Sequence, residues 1–162
     1  MEPVRYVDLL NQRYQQQGFP EYQWTINEDS ALAPLTKPLA ECRISMLTSG
    51  GVSHCTLEEW DPYARNDFRL DTVEASSPGQ DFQVSDSYYD TDDAVEDVNC
   101  VFPIDRLREL DEDGTIGSVA PRLWSGFMGR IYKRTEVRDV QAPALARELH
   151  DDDVDLFLLV PA

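Results

Sequence analysis

The amino-acid sequence predicts an α/β fold: an open, mostly parallel sheet with helices on both faces and a long irregular insertion after the first strand. Three features predict it. Cys42-Arg43-Ile44-Ser45-Met46-Leu47-Thr48 is a strand-like run that stops at Ser49-Gly50-Gly51. Val154 to Val160 is a nearly continuous apolar segment, the pattern of a parallel strand buried on both faces. Between them, apolar residues recur at helical spacing around Ile104 and Leu145.

The elements follow in order. Pro3 suits a first helical turn, and Val4, Val7, Leu10 and Tyr14 recur at helical spacing until Gly18 and Pro20 stop the helix. Tyr22 and Trp24 fall in an irregular segment expected to lie over the core. Pro34 and Pro38 frame a stiff connector without ladder donors. Residues 53 to 80 are polar, carry Pro62, Pro78 and Gly79, and read as an excursion from the sheet. Asp81 to Ser85 alternates as a short strand. Ile104 to Leu110 reads as a short helix with Ile104, Leu107 and Leu110 on one face. Pro143 to Leu149 is a second helix, beginning at Pro143 or earlier. One α/β domain spanning 1–162 accounts for the length, with 1–33 as N-terminal helix and cover segment.

Composition bounds the function. The net charge of −17 argues against nucleic acid and anionic membrane, which need concentrated Lys and Arg. Lys37 and Lys133 are the only lysines, against twelve arginines. The acidic balance fits a solvated surface, with a basic partner or a cation site as the functional alternative. No apolar run approaches the roughly 18 residues that span a bilayer, and the start has no secretory pattern. A cytoplasmic location is therefore the expectation. Cys42, Cys55 and Cys100 have neither disulfide-framework nor zinc spacing, and His54 and His150 cannot make a His-rich metal site.

Several residues carry candidate chemistry. Ser49, Gly50 and Gly51 stand at the carboxyl end of a strand, where open α/β sheets bind ligands and where glycine lets the backbone approach closely. An ordinary tight turn is the alternative. Asp90, Asp92, Asp93, Glu96 and Asp97 repel one another and so call for a cation, an arginine or raised pKa values. Asp90, Asp93 and Asp97 are the candidate ligands for a hard cation, although the spacing is not that of an EF-hand, and solvated cap and turn residues explain them as well. Asn99 can orient a carboxylate or cap its loop. Cys100 is the candidate thiol, but its neighbours Val98, Val101 and Phe102 suggest a small buried hydrophobe. Arg106 or Arg108 can clamp a carboxylate, or pair with Asp105, Glu109 or Asp111. His54 beside Cys55 makes a poor dyad, since successive strand residues point apart. His150 at a helix end is accounted for by the helix dipole.

The stretch Tyr89-Asp90, Asp93-Ala94, Asp97-Val98-Asn99, then Val101-Phe102-Pro103-Ile104-Asp105-Arg106-Leu107-Arg108-Glu109-Leu110, followed by Gly114, Ile116-Gly117-Ser118 and Ala120-Pro121, resembles the selenoprotein B family. So do Pro34 to Leu39, Thr48-Ser49-Gly50-Gly51-Val52, Phe127-Met128-Gly129 and the end from Val154 to Pro161. Members of that family are the substrate-specific components of glycine, sarcosine, betaine and D-proline reductases. The resemblance implies reductive cleavage of a carbon–nitrogen bond in a small amino acid or betaine. It implies Asn99 and Arg106 or Arg108 for the substrate carboxylate, with Asp90 or Asp93 for its ammonium, beside Ser49-Gly50-Gly51. No cofactor is evident in the sequence, and the resemblance implies a cysteine or selenocysteine redox centre in a turn following residue 162. Other reductase subunits are the implied partners. The chain departs from the family in having no histidine within Asp86-Ser87-Tyr88-Tyr89-Asp90. A UGA codon read as stop, a cut chain and a natural short form all give an ending at Ala162. A non-enzymatic binding or partner subunit, and a metal-dependent enzyme using the Asp90–Asp97 loop, are the alternative readings.

Overall fold

A computed structural model describes residues 6–21, 28–29, 32–129 and 131–162. The chain divides into two compact units, Met1–Pro34 and Leu35–Ala162. In the first, helix α1 (Tyr6–Gln16) ends before Gly18, which takes a positive φ of 85° that glycine adopts without strain. The Tyr14 and Phe19 rings meet edge-on at 6.0 Å across that end. Pro3, Val4, Tyr22 and Trp24 lie outside the described residues.

The second unit is an α/β layer structure around strand β1 (Arg43–Thr48). The helical and strand elements after it are β2 (Val52–His54), β3 (Leu70–Glu74), β4 (Phe82–Val84), α2 (Asp92–Glu96) and α3 (Ile104–Glu112). They continue with β5 (Ser118–Val119), β6 (Arg122–Gly126), α4 (Arg134–Glu136), α5 (Ala142–Asp151) and β7 (Leu156–Val160). On one side of β1, β5 pairs with its start (Arg43 opposite Ser118) and β6 with its end (Thr48 opposite Ser125), both parallel. On the other side β7 runs parallel, with Ile44 opposite Leu156 and Thr48 opposite Val160. Strand β3 closes the β6 side antiparallel, and β2 and β4 form a separate antiparallel pair. The sheet is open, mostly parallel and flanked by helices, as the sequence predicts.

Side chains of β1 alternate between two cores, because successive strand residues face opposite ways. Ile44 and Met46 join Phe102, Ile104 and Leu107 of the α3 side. Leu47 joins Trp124 and Leu145 of α5, with Phe157 of β7 packed alongside. Phe102, Ile104 and Met46 are fully buried, each worth roughly 1.5–3 kcal/mol of transfer free energy.

Three features were not apparent from the sequence. β5 and β6 are one strand path interrupted at Ala120-Pro121. Ala120 N donates to Ile44 O at 2.8 Å, Pro121 has no N–H to give, and its carbonyl accepts from Ala75 N at 3.2 Å. Within the excursion after β1, Leu70–Glu74 returns to the sheet as β3. Helix α5 is preceded by α4 and a wide turn of π type at Val137–Gln141. Pro143 stands in the first turn of α5, where proline is tolerated.

One expectation is corrected. β7 is parallel to β1, but it is not buried on both faces: Leu158 is 38% and Leu159 63% exposed. Among the described residues β1 is its single neighbour, so its outer side is an edge. Its start is fixed by Asp155, which accepts from Arg43 N at 2.8 Å and pairs with Lys37 at 2.6 Å. Arg122 of β6 holds α5 to the sheet through Asp152 and Glu148, with its guanidinium 5.3 Å from the Trp124 ring centre. No helix among the described residues is long and apolar enough to cross a membrane.

Candidate active-site corner

The carboxyl ends of β1 and β7 meet the turn Ser49–Gly51. Ser49 N donates to Val160 O at 3.2 Å, and Ala162 N donates to Ser49 Oγ at 3.3 Å. Thr48 is fully buried; its Oγ1 donates to Val101 O at 2.7 Å and accepts from Gly50 N at 3.1 Å. A Cβ on Gly50 would stand 3.1 Å from Val101 Cβ and 3.2 Å from Ala162 Cβ, so the corner admits no side chain there without displacement. Gly51 has φ +68°, and a Cβ on it would collide with the Ser85 carbonyl oxygen. Gly51 is thus required by close approach and by backbone conformation, whereas Gly50 would take a Cβ only if Val101 and Ala162 gave way slightly.

Tyr89 completes the corner. It reaches in from the loop between β4 and α2, and its hydroxyl donates to Gly50 O at 2.8 Å. Burial, with smaller contributions from Asp86 and Cys100, pushes the phenol up to about 12, so it stays a protonated donor at neutral pH. Nothing in the residues around Tyr89 points to this role, since a tyrosine in a polar loop reads as a surface residue. Next to the turn, Asp61, Asp67, Asp86, Tyr88, Met128 and Gly129 line a small acidic pocket. Met128 links the two, its Cε lying 3.0 Å from where a Gly51 Cβ would be.

Asn99, Asp97, Asp105 and Arg108 come together elsewhere, at the start of α3. Asn99 Oδ1 accepts from Asp105 N at 3.0 Å, and its Nδ2 donates to Asp105 at 2.9 Å and to Asp97 at 2.8 Å. Asn99 therefore caps its loop, the alternative considered for it. Hydrogen bonds from the Asn99 side chain and backbone hold the Asp97 carboxyl below the usual carboxylate range. Arg108 donates to Ala75 O at 3.1 Å, to Ser77 O and to Asp105. Asp105 also accepts from Gly79 N at 3.2 Å. The carboxylate-clamping capacity of Arg108 is thus directed at the chain's own loop. Arg106 pairs with Glu109 at 2.7 Å on the exposed face of α3.

Asp90 Oδ1 accepts from Asp92 N at 3.2 Å in a turn, and Asp93 lies in the first turn of α2. Among the described residues, no group of three or more His, Cys, Asp or Glu is arranged to hold a metal ion. Cys100 is corrected: it is exposed, with Sγ 3.7 Å from Asp93 O, because the turn at Val98–Cys100 points Val98 and Val101 inward instead. Cys42 is buried and Cys55 exposed. His54 contacts Thr56 Oγ1 at 2.8 Å and the edge of Phe82, and His150 occupies the last turn of α5.

A family model described as glycine/sarcosine/betaine reductase selenoprotein B matches residues 2–162. The chain belongs to that family. Two relatives illustrate the membership. The D-proline reductase subunit gamma of Acetoanaerobium sticklandii is 33% identical over 126 residues, covering 78% of this chain and 51% of that one. The sarcosine reductase complex component B subunit beta of Peptoclostridium acidaminophilum is 26% identical over 120 residues, covering 72% and 28%. The chain spans about half the length of the first and less of the second. No solved structure matches.

Proposed function

We propose that this chain is part of a reductase component that binds a small amino acid or betaine at the Ser49–Gly51 corner, for reductive cleavage of its carbon–nitrogen bond. Family membership and the names of the two relatives support a reductase-complex subunit. The observation that carries the placement is the convergence of β1 and β7, both parallel, on a glycine turn held close to Val101 and Ala162. In open α/β sheets that edge is where ligands sit.

The parts divide the work. Ser49 Oγ and the backbone of Gly50-Gly51 suit a carboxylate, as short polar groups and amides do. Asp61, Asp67 and Asp86 supply negative charge that favours an ammonium or quaternary nitrogen beside the corner, although the pocket they line, about 10 Å³, is itself no larger than a water. The cysteine or selenocysteine that the family resemblance implies after residue 162 would supply a thiolate or selenolate nucleophile, since the anion is the reactive form. Arg106, Arg108 and Asn99 are left out of this reading. Asn99 and Arg108 are engaged with Asp97, Asp105 and nearby carbonyls, and Arg106 with Glu109.

Calorimetry with glycine, sarcosine, betaine and D-proline tests the reading. The expected result is saturable binding of at least one, weakened in Gly50→Ala, whose methyl group enters the corner. No binding of any of the four at millimolar concentration would sink it.

A further inference from the structure

We propose that Tyr89 is a positioning residue that aims the Gly51 N–H at the substrate carboxylate. The inference rests on the binding site proposed above and names how that site selects for a carboxylate.

The argument starts from one peptide group. Tyr89 donates to the carbonyl of Gly50 at 2.8 Å. The peptide joining Gly50 to Gly51 is trans, as all described peptides are. Its N–H therefore points away from its carbonyl, on the side opposite Tyr89. The turn's own hydrogen bonds use Gly50 N, Gly50 O and Gly51 O, and among the described residues they leave out Gly51 N. Gly51 O is held by Ser85 N at 2.9 Å, so both carbonyls flanking that N–H are fixed.

Two consequences follow. A glycine pair has little intrinsic preference for one peptide orientation, so an external bond decides it. Tyr89 supplies that bond from a half-buried position. Hydrogen bonding at a carbonyl also polarises its amide, which makes the N–H on the other side a better donor. The phenol, raised to about 12, keeps its proton across the physiological range, so the orientation does not depend on pH there. An N–H held in this way favours an anionic oxygen over an amine, which offers no acceptor of that kind.

Tyr89→Phe in the 162-residue chain tests this. Four ligands (glycine, sarcosine, betaine, D-proline) are compared with their decarboxylated counterparts (methylamine, dimethylamine, tetramethylammonium, pyrrolidine). The expected result is a loss of carboxylate preference by about three- to tenfold, the share of one ordinary hydrogen bond. Affinity for the amines should be unchanged. A merely structural role for Tyr89 would weaken both series alike and would overturn the inference. So would binding by Tyr89→Phe with its preference intact, which leaves the binding site itself standing. If the wild-type chain binds none of the carboxylates, the binding site and the inference fall together.

A second measurement serves if the variant does not fold. In the wild-type chain, the amide resonance of Gly51 should shift saturably with the carboxylates and stay still with the amines. An unmoved Gly51 amide in the presence of a carboxylate that binds overturns the inference.

Discussion

Thr48 and Val101 are joined by a buried hydrogen bond, Oγ1 to carbonyl, at 2.7 Å across 53 residues of sequence. The same hydroxyl accepts from Gly50 N. One side chain therefore fixes the end of the central strand, the glycine turn and the loop before α3. Thr48→Val keeps the shape and removes the hydroxyl, leaving a buried carbonyl and an amide without partners. Urea unfolding should show a loss of about 1–3 kcal/mol. An unchanged midpoint would mean that the corner relaxes around the loss.

Two glycines with similar backbone angles should respond differently to alanine. Gly51 has φ +68° and faces the Ser85 carbonyl, whereas Gly114 has φ +76° and open space. Gly114→Ala should cost about 1–2 kcal/mol, the penalty of the left-handed conformation alone. Gly51→Ala adds a backbone collision and should destabilise more than Gly114→Ala in the same denaturation series. Equal losses would show that Ser85 moves aside freely.

Much of the fold was legible in the sequence, and the misses have physical causes. β1, α3 and β7 carry strong periodic or continuous apolar signals, and the Ser49-Gly50-Gly51 turn announces itself through its glycines. β6 was hidden because Pro121 breaks the run, and Pro in a strand usually argues against one. β3 was hidden because Leu-Asp-Thr-Val-Glu buries only Val73. β7 reads as a buried strand because its composition is that of one, while its exposure depends on neighbours that periodicity does not reveal. Cys100 reads as buried because its sequence neighbours are apolar, but those neighbours turn inward and leave it outside. Tyr89 was invisible as a site residue because its bond to Gly50 spans 39 residues.

Acid should weaken the anchorage of β7. The Arg43 N–H first, and then Lys37, hold the Asp155 carboxyl below its usual value. A carboxyl depressed in the folded state contributes stability above its unfolded pKa, near 3.8, and loses it as pH falls through the folded value. Lys37 is raised from 10.5, so its side of the pair persists below that value and fades as pH rises past the folded one. Asp155→Asn should therefore be less stable than wild type at pH 7, and the gap should narrow below about pH 4. Denaturant midpoints measured from pH 2.5 to 7 read this directly; a gap constant with pH would contradict the assignment.

Arg108 and Arg106 separate structure from surface. Arg108 binds two backbone carbonyls and Asp105, while Arg106 makes an exposed pair with Glu109. Arg108→Ala should lower stability by about 1–3 kcal/mol, and Arg106→Ala should stay within roughly 0.5 kcal/mol of wild type. Neither should change the carboxylate preference of the corner. A selective loss of carboxylate affinity in Arg108→Ala would restore that arginine as a ligand contact.

Thiol labelling should divide the cysteines. Cys55 and Cys100 are exposed and should react with iodoacetamide in the native chain, while buried Cys42 should react only on unfolding. Mass spectrometry of each peptide counts the labels; protection of Cys100 in the native state would contradict its placement outside the core.

The central claim is that ligand binds at the carboxyl end of β1, beside β7. The most direct test is a two-dimensional amide NMR titration of the 162-residue chain with glycine, sarcosine, betaine and D-proline. The account predicts saturable shifts at Ser49, Gly50, Gly51 and Tyr89 with at least one of them. Shifts confined to Asp97, Asn99 and Asp105, or none at all at millimolar ligand, would contradict it.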